Sequence, residues 1–322
     1  MRAIQIKEPR KITMMTDAPI PEPDEGEIQV KCSHIALCGS NMGQYTGIGL
    51  WADIPFPNPI GWAGHENIGI ITKSRHPDWK EGTLVLAQPQ GYFGFAEYIV
   101  CRPPAIALLP QDAPDPGALI IAQPLATILR ALDRMDGKVI NKTCAVMGQG
   151  SMGLVFTHTL RLFGARSVIA IDKIGSRLEW SKKFHADAVI NASEENVVEA
   201  VNELTKGEKV DFVVDAAGEE KSLQDSAKII KNYGRMLIFG MPDFDMLQFP
   251  WYHVFRANIQ INTCVGPECG AYFQTAADMV LDDRASCLVD MVTPRMPWAK
   301  APEAFELYAA CEKDVLKLTL EL

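Results

Sequence analysis

The period of apolar and polar positions changes partway along this chain. Residues 1–7 alternate, and the runs 28–32 and 68–72 combine β-branched side chains with a two-residue period. That period puts successive side chains on opposite faces of a strand. Pro19, Pro21, Pro23, Pro55, Pro57 and Pro59 fall between such runs. Proline has no N–H to give a sheet ladder, so these positions mark loops. The first hundred residues therefore predict a β-rich region with long irregular connections. Near Pro116 the pattern changes, and residues 117–132 carry apolar side chains at helical spacing. A regular alternation follows. Strands are predicted at 143–147, 167–171, 188–190, 210–214, 235–239 and 259–263, with helices at 152–163, 176–184, 194–204 and 221–230. Strands alternating with helices of this length imply a parallel sheet covered on both faces. A helix at 301–310 and a strand at 315–320 close the chain, and that strand is expected to rejoin the first region. The expected fold class is thus α/β in two domains, residues 1–116 with 266–322 and residues 117–265.

Composition narrows what such a chain can do. Its 322 residues suit two domains at roughly 150 residues each. With 48% hydrophobic and 22% charged residues it is neither disordered nor fibrous. A formal charge of −9, with no cluster of Lys and Arg, argues against a nucleic-acid partner, which demands a basic face. No apolar run reaches the roughly 18 residues of a membrane span, and residues 1–7 lack the continuous apolar core of a signal peptide. The eight cysteines are scattered without a Cys-x-x-Cys pair, so neither a disulfide framework nor a four-cysteine zinc knot is expected. A reducing cytoplasm is the expected compartment.

The chemistry starts at Gly148-Gln149-Gly150-Ser151-Met152-Gly153, which follows a predicted strand and opens a predicted helix. In that context a Gly-x-Gly-x-x-Gly run reads as a dinucleotide loop. Gly148 permits the tight turn, Gly150 lets backbone approach a pyrophosphate, and Gly153 allows close packing of helix on strand. The helix N-terminus offers free N–H groups and a partial positive charge to the diphosphate. Nineteen residues after Gly153, a strand ends in Asp172. An acid there accepts hydrogen bonds from the adenosine ribose and repels a 2′-phosphate, which favours NAD(H) over NADP(H). Arg177 is placed to face the adenine.

Other segments resemble the medium-chain, zinc-dependent alcohol dehydrogenase family. They are Cys38-Gly39-Ser40-Asn41 with Tyr45 and Gly47, then Gly64-His65-Glu66, Gly94-Phe95-Ala96-Glu97-Tyr98, Gln123-Pro124-Leu125-Ala126 and Asp215-Ala216-Ala217-Gly218. Their order spans nearly the whole chain. The resemblance implies a GroES-like catalytic domain built from both chain ends, with a Rossmann domain inserted between. It implies interconversion of an alcohol (a polyol or secondary alcohol) and its carbonyl by hydride transfer with NAD(H), and one catalytic zinc. Cys38 and His65 resemble the zinc ligands, and thiolate and imidazole are ligands that zinc prefers. Ser40 resembles the hydroxyl that relays the alcohol proton. The resemblance also implies cofactor contacts at Ser151, Met152, Ala217 and Val265. A homodimer or homotetramer acting on a small-molecule substrate is expected.

The chain departs from the family pattern in ways that matter. A usual third ligand, Glu or Cys, is here Gln123, a neutral and poorer donor. Glu66 could instead join Cys38, giving two negative charges, with His65 neutral and Gln123 behind. Asn41 replaces an Asp and is expected to accept a hydrogen bond from His65. Position 43 is Gly, so no histidine relay stands there. No cysteine lies between Glu66 and Val100, so no structural zinc is expected. Trp51, Trp62, Tyr92, Phe93 and Trp251 fall in segments expected to form a pocket; if several face it, the substrate is bulky or partly apolar. These departures leave an alternative, a zinc-free reductase acting on a carbonyl or conjugated double bond, such as a bacteriochlorophyllide-type dehydrogenase.

Overall fold

The computed structural model describes residues 1–49, 52–135, 138–242, 244, 246–264, 269–311 and 315–322. The chain divides into two compact units, Met1–Leu129 with Pro267–Leu322, and Arg130–Gly266. In chain order the first strands are β1 (Ala3–Glu8), β2 (Lys11–Met15), β3 (Ile28–Ala36), β4 (Asn67–Ser74), β5 (Leu84–Ala87), β6 (Tyr98–Cys101) and β7 (Ile106–Leu108). Among them lies the short helix α1 (Met42–Thr46), and α2 (Ala122–Asp133) follows. The alternating region then runs β8 (Thr143–Met147), α3 (Ser151–Leu162), β9 (Ser167–Asp172), α4 (Gly175–Lys183), β10 (Ala188–Asn191) and α5 (Val197–Leu204). It continues through β11 (Val210–Asp215), α6 (Glu220–Ile229), β12 (Ile230–Ile238), α7 (Trp251–Arg256) and β13 (Gln260–Thr263). Last come α8 (Phe273–Leu281), β14 (Arg295–Pro297), α9 (Ala301–Ala309) and β15 (Thr319–Glu321).

In the first unit β1 and β2 form a hairpin, and a larger sheet runs β14-β15-β3-β4-β5-β7, with β6 also paired to β3. Strand β3 is the hub, antiparallel to β15, β4 and β6. An aromatic cluster sits within its largely aliphatic core: the Phe305 ring of α9 lies 5.1 Å from both Tyr45 and Phe95. Burying each such ring is worth about 1.5–3 kcal/mol. The expected terminal strand 315–320 rejoins β3, as Thr319 opposite Ala36 and Leu320 opposite Ile35. It is shorter than expected because the N–H groups of Leu316 and Lys317 donate to Thr293 and Met291 carbonyls instead of to a ladder. Helix α8 carries a signal the strand-centred reading passed over: Phe273, Ala276, Ala277 and Val280, at i, i+3, i+4 and i+7, are all buried.

The second unit holds a six-stranded, fully parallel sheet in the order β10-β9-β8-β11-β12-β13. Counted within the unit this order is 3-2-1-4-5-6, the doubly wound dinucleotide-binding topology. All five residues of β8 are buried, as a parallel strand covered on both faces requires. Helix α5 starts at Val197 rather than 194 because Asn196 caps it, its Oδ1 accepting from Val198 N (3.0 Å) and Glu199 N (3.2 Å). Strand β12 begins five residues earlier than expected, at Ile230, with a register shift before Arg235. The architecture is therefore mixed α/β, one unit β-rich and the other Rossmann-like.

Candidate functional site

The end of β3 delivers Cys38 into a 3-10 turn over Gly39–Asn41. Asn41 closes the turn twice: its N–H donates to the Cys38 carbonyl (3.0 Å), and its Oδ1 accepts from Cys38 N (2.8 Å). His65 comes from a different segment. Gly64 and Gly94 place it, since a Cβ on Gly64 would lie 2.4–2.5 Å from Phe95 N and Gly94 C, and one on Gly94 2.6 Å from Gly64 C. Only glycine allows these backbones to touch. The Ala63 carbonyl then accepts from His65 Nδ1 (2.9 Å) and from Asn41 Nδ2 (2.9 Å). The expected bond from His65 to Asn41 is thus not made. The Asn41 oxygen is taken by Cys38 N, and its NH₂ group, which an Asp lacks, turns it into a donor toward the carbonyl the histidine uses. The proton fixed on Nδ1 leaves Nε2 aimed elsewhere.

Ligand atoms of Cys38, His65 and Glu66 lie within 4.8 Å of one another. Burial alone would push the Cys38 thiol up, but its hydrogen bond with His65 and the nearby Lys317 outweigh that and hold it below its ordinary range. Burial likewise opposes a charged His65, yet the Cys38 partner, Glu66 and the Ala63 carbonyl raise it to about 9. Each partner thus favours the charged form of the other. Glu66 has its own partner: both carboxylate oxygens accept from Lys317 Nζ, at 2.9 and 2.8 Å, with each side chain at most 1% exposed.

In the second unit the glycine loop is built for close approach. A Cβ on Gly153 would lie 1.8 Å from the Gly148 carbonyl oxygen, whereas one on Gly150 would meet only Arg177 Nη1, at 3.9 Å. The space at Gly150 opens at the N-terminus of α3. Arg177 Nε is buried there without a hydrogen-bond partner among the described residues. Asp172 caps β9: Oδ2 accepts from Gln149 N (2.5 Å) and Oδ1 from Ile174 N (2.8 Å). Each oxygen keeps lone-pair capacity for a further donor.

Three comparisons bear on this arrangement. Residues 151–282 match the zinc-binding dehydrogenase family. L-threonine 3-dehydrogenase of Bacillus subtilis strain 168 is 24% identical, covering 98% of this chain and 98% of its own length. Over nearly its whole length the chain is similar to zinc-dependent alcohol dehydrogenases. Solved structures of such enzymes have the same fold. Alcohol dehydrogenase TADH from Thermus sp. ATN1 matches with a TM-score of 0.86 at 22% identity, over 100% of this chain and 99% of that one. The alcohol dehydrogenase rspB of E. coli CFT073, complexed with NADH, matches at 0.84 and 21%, over 100% and 99%.

The remaining positions fall as follows. Ser40 is half-buried within the Cys38 turn. Gln123 is buried in the first turn of α2. Ser151 and Met152 open α3 beside Gly150. Ala217 packs against Gly148, its N lying 2.9 Å from where a Cβ on that glycine would stand. Val265 and Trp51 lie outside the described residues. The Tyr92 ring stands edge-on to His65 at 6.2 Å. Trp62 is half-buried, and Phe93 and Trp251 are exposed, Trp251 in the other unit against Phe249. Two groups escaped the sequence reading. Lys317 is one; its signal was a single charge inside the apolar run 315–320. Gln149 is the other. Its buried amide donates to the Val146 carbonyl and accepts from Thr157 and Ser181 hydroxyls, at 2.9 Å each, so the glycine loop is locked from within. No described helix is long and apolar enough to cross a membrane.

Proposed function

We propose that this chain interconverts an alcohol, a polyol or secondary alcohol, and its carbonyl by hydride transfer with NAD(H), using one catalytic zinc. The observation that carries the reading is the meeting of the Cys38 thiol and the His65 imidazole, two zinc-preferred donors brought together from separate loops, with His65 Nδ1 held by the Ala63 carbonyl. The donor set fits a metal: His65 Nε2 has no backbone acceptor to satisfy, and Gln123 of the same unit supplies a neutral amide as a further donor. Zinc held there supplies Lewis acidity, which makes an alcohol hydroxyl easier to deprotonate. Ser40, in the same turn, accepts and passes on that proton. The dinucleotide supplies the two-electron acceptor. Its fit is supported by the open cradle at Gly150 and the orphaned Arg177 Nε. Gly148, Gly150, Ser151, Met152 and Gly153 receive the diphosphate, and Asp172 takes the ribose hydroxyls. Ala217, Arg177 and Val265 complete the cofactor contacts.

The names of the relatives, L-threonine 3-dehydrogenase and alcohol dehydrogenase, favour this over the zinc-free reductase alternative. We assign the chain to the cytoplasm and to a homodimer or homotetramer. The second-unit surface supports assembly: β13 is an exposed edge strand, and Trp251, Tyr252 and Phe255 of α7 are 64%, 77% and 81% exposed. The deciding experiment is metal analysis of the purified protein joined to NADH formation over an alcohol panel, with Cys38→Ala alongside. Stoichiometric zinc, lost with activity in C38A, is expected. Full turnover by metal-free protein would remove the reading.

A further inference from the structure

We infer that Glu219 is a cofactor-selectivity residue: by pairing with Lys173 it withholds from a 2′-phosphate the ammonium that stands beside the ribose site. The inference rests on the dinucleotide reading above and deepens it. Lys173 directly follows Asp172, the acid assigned to the ribose hydroxyls. A cation near that acid is what receives the extra phosphate of NADP(H), so Asp172 and Lys173 make opposite demands on the cofactor. A third charge decides between them. Lys173 Nζ and Glu219 Oε2 form an ion pair. The backbone fixes where both side chains start. Asp172 Oδ1 accepts from Ile174 N (2.8 Å), which holds the turn around Lys173. Asp215 Oδ1 accepts from Gly218 N (2.8 Å), which holds the residue before Glu219. Glu219 stands at the N-cap of α6, yet its side chain makes no capping hydrogen bond. The free N–H groups of that first turn attract an acid, but this one is directed to Lys173.

Strand order places the pair at the cofactor. Strands β9 and β11 flank β8, with Ile171 and Asp215 both opposite Met147. The glycine loop starts directly after Met147, at Gly148, while Lys173 follows closely on Ile171 and Glu219 on the turn after Asp215. The ion pair therefore joins the two flanks of the glycine loop at the carboxyl ends of the strands, where an open α/β sheet takes its ligand. Such a pair adds little to the fold, because both side chains are more than half exposed and water screens them. Its weight falls on the ligand. NADP(H) differs from NAD(H) by a phosphate of roughly −2 charge. With Glu219 charged, Lys173 is neutralised in place and that phosphate meets the Asp172 carboxylate uncompensated. With Glu219 neutral, the ammonium is released to the phosphate.

The test measures dissociation constants for NADH and NADPH by fluorescence titration, at low and high salt, for wild type, E219Q and E219Q/K173M. Both positions are exposed, so all three proteins are expected to fold. E219Q is expected to bind NADPH about fivefold tighter than wild type, with NADH affinity within about twofold, and the gain should shrink at high salt as the freed charge is screened. E219Q/K173M should return the ratio of the two affinities to the wild-type value, because the cation is gone. An unchanged ratio in E219Q would overturn the inference and leave the dinucleotide reading intact. A gain that persisted in E219Q/K173M would overturn it too, since Glu219 would then act by repelling the phosphate and not through Lys173. Wild type binding neither dinucleotide would overturn both.

Discussion

Gly150→Ala separates what the glycine loop does for the fold from what it does for the cofactor. Gly150 has φ −69° and ψ −172°, a conformation alanine adopts freely. The added methyl would meet nothing nearer than Arg177 Nη1 at 3.9 Å. Stability should therefore hold or rise by about 0.4–1 kcal/mol, through the less flexible unfolded chain. In a chain of this size that moves Tm by no more than about 4 °C. The methyl would nonetheless occupy the cradle at the N-terminus of α3, where a diphosphate must approach backbone N–H groups. NADH affinity should fall about tenfold or more, which is about 1.4 kcal/mol. Gly153→Ala is the contrast. Its Cβ would lie 1.8 Å from the Gly148 carbonyl oxygen, so strand and helix must separate, at a cost of about 1–3 kcal/mol or more. Calorimetric Tm and fluorescence titration with NADH measure the two effects on the same preparations. If G150A bound NADH as tightly as wild type, or lost as much stability as G153A, the loop would not be the cradle described.

Asp172→Ala should weaken NADH binding and narrow the preference for NADH over NADPH, since the carboxylate that repels a 2′-phosphate is gone; an unchanged ratio of kcat/KM for the two cofactors counts against the ribose assignment. Removing metal with a chelator should leave the far-ultraviolet circular dichroism unchanged, because Cys38, His65 and Glu66 each have protein partners; unfolding on chelation would refute this. Asp211→Asn tests a pH-linked pair. Burial pushes the Asp211 carboxyl up, but Lys231, Thr143 N and Lys142 outweigh that and hold it below the ordinary range. A depressed carboxylate stabilises the fold above its unfolded value of about 3.9, and that stability is lost as pH falls through the folded value. D211N should thus cost about 1 kcal/mol at neutral pH, in a denaturant titration, with the gap closing in acid; a gap independent of pH would show the charge to be idle.

How much of this was legible in the residues depended on whether the signal was local. The parallel sheet was, because its central strands β8, β9 and β11 are short, mostly apolar runs between helices. The glycine loop was too, since its spacing encodes a backbone conformation. The second Met1-end strand was not: Lys11–Met15 reads as strand only once β1 pairs with it across Pro9 and Arg10. Strand 315–320 was over-extended because Leu316 and Lys317 look like ladder residues, yet their N–H groups are claimed by carbonyls 23 and 26 positions away in sequence. The partner of His65 was misassigned for a related reason. A sequence names side chains, and the acceptor here is the main-chain oxygen of Ala63.

The same device recurs at both sites, and it explains why side-chain motifs alone described them incompletely. In the first unit the Ala63 carbonyl gathers His65 and Asn41, so the segment carrying the imidazole and the turn carrying the thiol share one acceptor. In the second, the Gln149 amide gathers Val146, Thr157 and Ser181, while its own N–H fixes Asp172. A buried polar group is tolerated only when its hydrogen-bonding capacity is met. Such a hub therefore has few permitted arrangements, and the functional groups attached to it inherit that restriction. Lys317 extends the logic across 251 positions of chain to Glu66. The ligand loop is thus complete only once residues from the far end of the sequence have packed beside β3, which makes the chemistry of Cys38 a property of the finished unit and not of its motif.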